Sequence, residues 1–364
     1  MSKNIKRLLL SLFLWVFTLL IIRLAANNPV MVENYYSQRI YPFISGVLTS
    51  IFSIIPFASG ELILTGIIVF IIYLIFRFFK KPTKRLLLSG ITKTLLVISM
   101  INLVFWIFWG LNNYRMPLEE QLGYYISPLA IDDLESTALF LLYRIDEIET
   151  QLTFDDNHLP VFEGQASEML TLAQEGFREF AKEHPFLAQG YYSRPKSMLF
   201  SEVMNHLNYS GIYNPFTAEA NVNMNIPSYK IPFVAMHEIA HQRGIAGEGE
   251  ANYLAFLALI QHDNLYFQYS GYTSGLIYVM NALHRADRQR FIEVRKGYST
   301  YLEALMEDNR QHWLRYNTIV SEIGEKNNDL FLRNTGQVEG TKSYGLVVDF
   351  IAAYVKQYDL DTVH

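Results

Sequence analysis

His237 and His241 stand four residues apart in the segment His237-Glu238-Ile239-Ala240-His241. On an α-helix, residues i and i+4 share a face one turn apart, so both imidazoles can reach a single ion. Neutral imidazole is a ligand for Zn2+. Glu238 falls about 100° further round such a helix, beside the open position of that ion. A carboxylate there takes a proton from water instead of binding the metal. The chemistry these three residues support is zinc-assisted hydrolysis of a peptide bond. The plain alternative is a pair of satisfied histidines inside a helix core.

The elements that must position them are also visible. Pro232 suits the first turn of a helix, and Phe233, Val234, Met236, Ile239 and Ala240 give it an apolar surface to bury. Gly244 marks its end. A zinc site of this kind needs a third protein ligand. Gly244-Ile245-Ala246-Gly247 reverses the chain, and two acids, Glu248 and Glu250, then open a second helix. Acids in a first turn also offset the helix dipole, so either alone has an ordinary structural role.

Glu248-Gly249-Glu250-Ala251-Asn252 reads E-x-x-A-N and resembles the second helix of gluzincins. That resemblance implies Glu248 as third ligand and Asn252 as a residue orienting a ligand imidazole. The gap from His241 is shorter than in most gluzincins, and Asn replaces the usual Asp, so Glu250 stays a rival ligand. The metzincin pattern H-x-x-G-x-x-H fails at Gly247.

Half of the 364 residues are apolar, and they crowd the first third. Residues 8–26, 62–79 and 86–110 are each long enough to cross a bilayer of about 30 Å, giving a membrane domain over 1–110. Lys3, Lys6 and Arg7 precede the first span, and Arg77, Lys80, Lys81, Lys84 and Arg85 link the second and third. By the positive-inside rule these stretches are cytoplasmic, and residues 111–364 lie outside the cytoplasm. The broken apolar stretch 40–57 reads as an interfacial or re-entrant helix. The absence of Cys fits an exported domain. With a net charge of −5, the expected partners are the lipid bilayer and a peptide or protein substrate, not nucleic acid. The oligomeric state is left open.

Within 111–364, stretches 131–151 and 163–183 have the spacing of amphipathic helices, and 251–260 reads as a buried core helix. Asn221, Asn223 and Asn225 alternate with apolar residues at a period of two, the pattern of a half-buried strand. An exposed Asn row beside the site would hold an extended peptide by strand addition. Glu219 is a weaker candidate for approaching the ion. Hydrolysis also calls for a donor aimed at the oxyanion, for which Tyr272 and His284 are the candidates and Tyr269 the reserve. Residues 286–326 read as two charged helices, 336–345 as a turn-rich loop and 346–357 as a closing helix.

The three spans, YSGIYNPFTAEANVN, FVAMHEIAHQRGIAGEGEANYLAFLA, YFQYSGY and NALHRAD together resemble an uncharacterised bacterial domain-of-unknown-function family of membrane-anchored HExxH proteins. The resemblance implies a gluzincin-like fold and brings no substrate. The fold expected is a mainly α membrane protein with three N-terminal transmembrane helices and an extracytoplasmic α+β zincin-like domain holding a small sheet. The function expected is that of a zinc metallopeptidase with Glu238 as general base. A catalytically silent, zinc-stabilised sensor or scaffold is the alternative, and a cell-wall amidase is not separable from a peptidase.

Overall fold

Three runs of apolar residues form long helices, Lys3–Ala26, Ser59–Lys80 and Lys84–Phe108. The computed structural model describes residues 2–80, 83–124, 126, 128–337 and 345–362, with side chains for all of these except 85 and 358–362. The chain is 73% helix with one small mixed sheet. All three apolar helices are long enough to cross a membrane, and they turn much of their Leu, Ile, Val and Phe surface outward. Lipid is the solvent that tolerates such a surface. The first and third pack against each other. The third stops at Phe108, two residues short of the expected span, because Trp109 leaves the helical region at φ −156°. Its end is aromatic, with Phe105, Trp106, Phe108 and Trp109 in five residues.

Between the first two apolar helices, the π-helical stretch Val32–Ile40 runs into the helix Tyr41–Phe52. Tyr41, Ser45 and Thr49 are buried, whereas Phe43, Val47 and Ile51 are exposed. Each set repeats every four residues, so the helix turns hydroxyls inward and hydrocarbon outward, the reverse of a helix facing water.

The HExxH segment lies in the helix Ile231–Gln242, followed by Glu248–Ile260. Ala235, Met236, Ile239 and Ala240 are fully buried, and the second of these helices is apolar and buried along most of its length. Both pack on Ala166–Phe180, and Leu265–Ala286 lies between the second helix and Ile131–Glu149. The expected core helix at 251–260 is therefore found. The charged region beyond it forms three helices instead of two, Arg288–Arg295, Thr300–Leu314 and Ile319–Asn334, and Leu346–Thr362 follows. Most of the loop expected at 336–345 lies outside the described residues.

The sheet has the order β1-β3-β2, with β1 Lys196–Ser197, β2 Gly211–Asn214 and β3 Glu219–Val222. β3 pairs parallel with β1 and antiparallel with β2. The Asn-bearing stretch thus starts in the central strand, not at an edge, and no exposed Asn row exists. Asn221 and Asn223 are buried and spend their amides on the Ile212 and Tyr209 carbonyls. Asn225 lies past the strand and bonds Glu202. Alternation misled because β3 is covered on both faces.

Candidate metal centre

Gly244 closes the HExxH helix with φ +82°, a conformation that costs glycine nothing. The reversal returns the Ile245 carbonyl to within 2.7 Å of His241 Nδ1. With Nδ1–H given to that carbonyl, the Nε2 lone pair of His241 is left for a ligand. Gly247 then delivers Glu248 at the first position of the next helix.

The three side chains converge. His237 Nε2 lies 3.0 Å from His241 Nε2, and Glu248 Oε2 lies 3.3 Å from the first and 3.6 Å from the second. Ligands bound to a tetrahedral zinc at about 2.0–2.1 Å stand roughly 3.3 Å from one another, so this donor set fits that ion. Among the described residues it is the one group of three or more His, Cys, Asp or Glu side chains close enough for a shared ion. Glu250 is not part of it; its Oε1 accepts from the Leu118 amide at 2.8 Å. Burial opposes a proton on His241, but the Glu248 carboxylate outweighs it and pushes the imidazole up to about 9. Burial also disfavours charge on Glu248, yet the two imidazoles hold its carboxyl well below the usual range.

Glu238 is buried beside them, and burial raises its carboxyl to about 7. It accepts from the Tyr213 amide, while Oε2 is buried with no hydrogen-bond partner. β2 passes so close that a Cβ on Gly211 would sit 2.4 Å from Glu238 Oε1. The edge strand at the site is therefore β2. Because the Tyr213 amide faces Glu238, the period of two turns the Gly211 backbone toward the same open edge.

The end of the HExxH helix is capped by side chains from the apolar N-terminal part. Trp109 Nε1 donates to the His241 carbonyl at 3.1 Å, and the Tyr41 hydroxyl to the Gln242 carbonyl at 2.7 Å. Arg115 Nη1 donates to the Gly244 carbonyl at 3.0 Å. Arg115 is itself gripped by Glu33 through two bonds of 2.8 and 2.7 Å, with both side chains buried. The Gln242 and Gly244 carbonyls at this helix end are thus satisfied from residues 33–115, and the His241 carbonyl, which already accepts from the Gly244 amide at 3.0 Å, gains a second donor. Residues 36–352 match the family described as protein of unknown function (DUF3810). The chain belongs to that family. No curated protein and no solved structure matches it. The family match takes in both the capping residues Tyr41, Trp109 and Arg115 and the HExxH cluster that they hold.

In this DUF3810 chain the cluster lines a cleft of about 680 Å³, together with Gly211, Tyr213, Asn252 and Tyr278. Asn252 is at the site, but its Nδ2 and the Nδ1 of His237 are both buried without partners, so the expected orienting bond is not formed. The expected oxyanion donors are elsewhere. The Tyr272 hydroxyl accepts from Arg144 Nε at 3.3 Å, the Tyr269 hydroxyl donates to Glu149 at 2.9 Å, and His284 is exposed against Phe291. Glu219 pairs with Lys196 at 2.5 Å and accepts the Ser59 amide, joining the sheet to the second apolar helix. Sequence reasoning missed Tyr209 and Tyr278, which line the cleft. Burial and then the nearby Glu248 carboxylate raise both phenols. Tyr278 is six residues past Tyr272, about 240° round the same helix, and that rotation separates the core face from the cleft.

Proposed function

We propose that this protein is a membrane-anchored zinc metallopeptidase with a gluzincin-like arrangement, its N-terminus in the cytoplasm and its cleft outside. The observation that carries this reading is the trio of 3.0, 3.3 and 3.6 Å separations among His237, His241 and Glu248. Glu238 lies beside them in an open cleft. When bound, zinc supplies Lewis acidity to a water and to a peptide carbonyl.

The chain supplies the rest. His241 is held in one tautomer by the Ile245 carbonyl. Glu238, with one oxygen on the Tyr213 amide and Oε2 unpartnered, takes a proton from water and passes it to the leaving amine. Its raised carboxyl suits both halves of that transfer. The Gly211 backbone on the open edge of β2 pairs with an extended peptide. Tyr209 or Tyr278 donates to the developing oxyanion.

A Glu238→Gln variant tests the reading. It is expected to bind zinc as wild type does and to lose hydrolysis by at least about 100-fold. Equal behaviour of the two proteins toward peptides would favour a zinc-stabilised binding module instead.

A further inference from the structure

The aromatic end of the third apolar helix forms a wall of the cleft. Phe105 and Trp109 both line it, and the Trp109 indole holds the backbone of His241. Helix Lys84–Phe108, about 37 Å long, outlasts a hydrocarbon core of about 30 Å by only a few ångströms, so its outer end reaches the headgroups. The headgroup layer adds only about 5–8 Å on each side of the core. The candidate metal centre is therefore level with that layer, not held above it on a stalk.

A second wall is the helix Ile319–Asn334, roughly 24 Å long. Asn328 and Phe331 line the cleft from it, and Phe331 meets Phe105 edge-on at 6.1 Å. Ile319, Val320, Ile323, Leu330 and Phe331 share an arc of about 120° on this helix with Asn327 and Asn334, and all five apolar side chains are exposed. Exposed Lys326 flanks the arc, and Glu322, Glu325 and Asp329 occupy the other side. An apolar stripe with a charged flank, joined through Phe331 to the end of a spanning helix, has the design of a helix lying in a membrane surface. Helix Tyr41–Phe52 presents a like stripe in Phe43, Val47 and Ile51.

We propose that helix Ile319–Asn334 rests on the bilayer and that the cleft takes polypeptides anchored in or on the same membrane, cutting them a few residues from the anchor. The substrate class rests on the metallopeptidase reading; the bilayer contact does not. A soluble peptide would reach the cleft only from the water side, whereas an anchored chain is delivered to it at high local concentration.

Two measurements on the full chain in phosphatidylcholine–phosphatidylglycerol vesicles test this. The chain has no Cys, so Ile323→Cys, Leu330→Cys and Glu322→Cys each carry a single fluorophore. Nitroxide-bearing lipid is expected to quench the labels at 323 and 330 several-fold more than the one at 322. Equal quenching at all three positions would overturn the bilayer contact. Next, the zinc-loaded protein is given quenched-fluorescent peptides of randomised sequence. They are either free or carry a palmitoyl chain through a spacer of about 4 or about 20 residues, the longer reaching roughly 25 Å. Both anchored forms are expected to be cut about tenfold or more faster than the free form, the short spacer as fast as the long. A free peptide cut equally fast, or a short-spacer peptide spared while the long one is cut, would overturn the substrate class. If no form is cut, the metallopeptidase reading falls with it, and the quenching result still decides the contact.

Discussion

The Trp109 indole donates to the main-chain carbonyl of His241 across 3.1 Å, so the end of an apolar helix caps the helix that carries both candidate imidazole ligands. Residues 132 positions apart in sequence meet here, and the site depends on the N-terminal third for its shape. The candidate metal centre and the apolar N-terminal third are packed as one unit.

Loss of this capping should be felt at the candidate metal centre. Trp109→Phe removes one of two donors to the buried His241 carbonyl, the Gly244 amide at 3.0 Å remaining, a change that costs about 0.5–1.5 kcal/mol. Arg115→Ala is expected to be worse, about 3–5 kcal/mol, because it strands the buried Glu33 carboxylate. Thermal unfolding in detergent, with and without zinc, checks both. Arg115→Ala as stable as wild type would show that residues 33–115 do not brace the site.

Gly211→Ala separates chemistry from metal binding. Its new Cβ would lie 2.4 Å from Glu238 Oε1, forcing the carboxylate or β2 to move, while His237, His241 and Glu248 are untouched. The variant is expected to keep its zinc and lose about 100-fold in peptide turnover. Full activity in this variant would mean that Glu238 is not the proton carrier.

The metal-free protein should respond to pH in a defined direction. His241 is raised from 6.5 to about 9, chiefly by Glu248 against the opposing effect of burial. A raised imidazole stabilises the fold fully below the unfolded value and loses that contribution as pH climbs through the folded one. Glu248, held low, keeps its contribution above its unfolded value of 4.5. Metal-free protein is therefore expected to lose thermal stability between pH 6.5 and 9, and zinc-loaded protein to lose less. A metal-free melting temperature that rises across this window would contradict the coupling.

The HExxH helix, its glycine stop and the acid-led second helix were legible because each depends on residues close in sequence. The three apolar helices were legible because lipid demands unbroken hydrocarbon. Glu248 and Glu250 could not be separated by spacing alone; the turn at Gly244 decides that Glu248 reaches the imidazoles and Glu250 reaches Leu118. The Asn stretch was misread because nothing in its alternation reveals that both faces of β3 are covered and both its edges paired. Tyr278 was passed over for Tyr272 because the face a helix shows to a cleft depends on distant packing partners. The capping by Tyr41, Trp109 and Arg115 joins segments far apart in the chain and leaves no local mark.

Zinc content measured on purified wild type, His241→Ala, Glu248→Ala and Glu250→Ala tests the central claim most directly. The account predicts one zinc per chain in wild type and Glu250→Ala, and little or none in the other two. A wild type that binds no zinc, or a Glu248→Ala variant that retains it in full, would contradict the account.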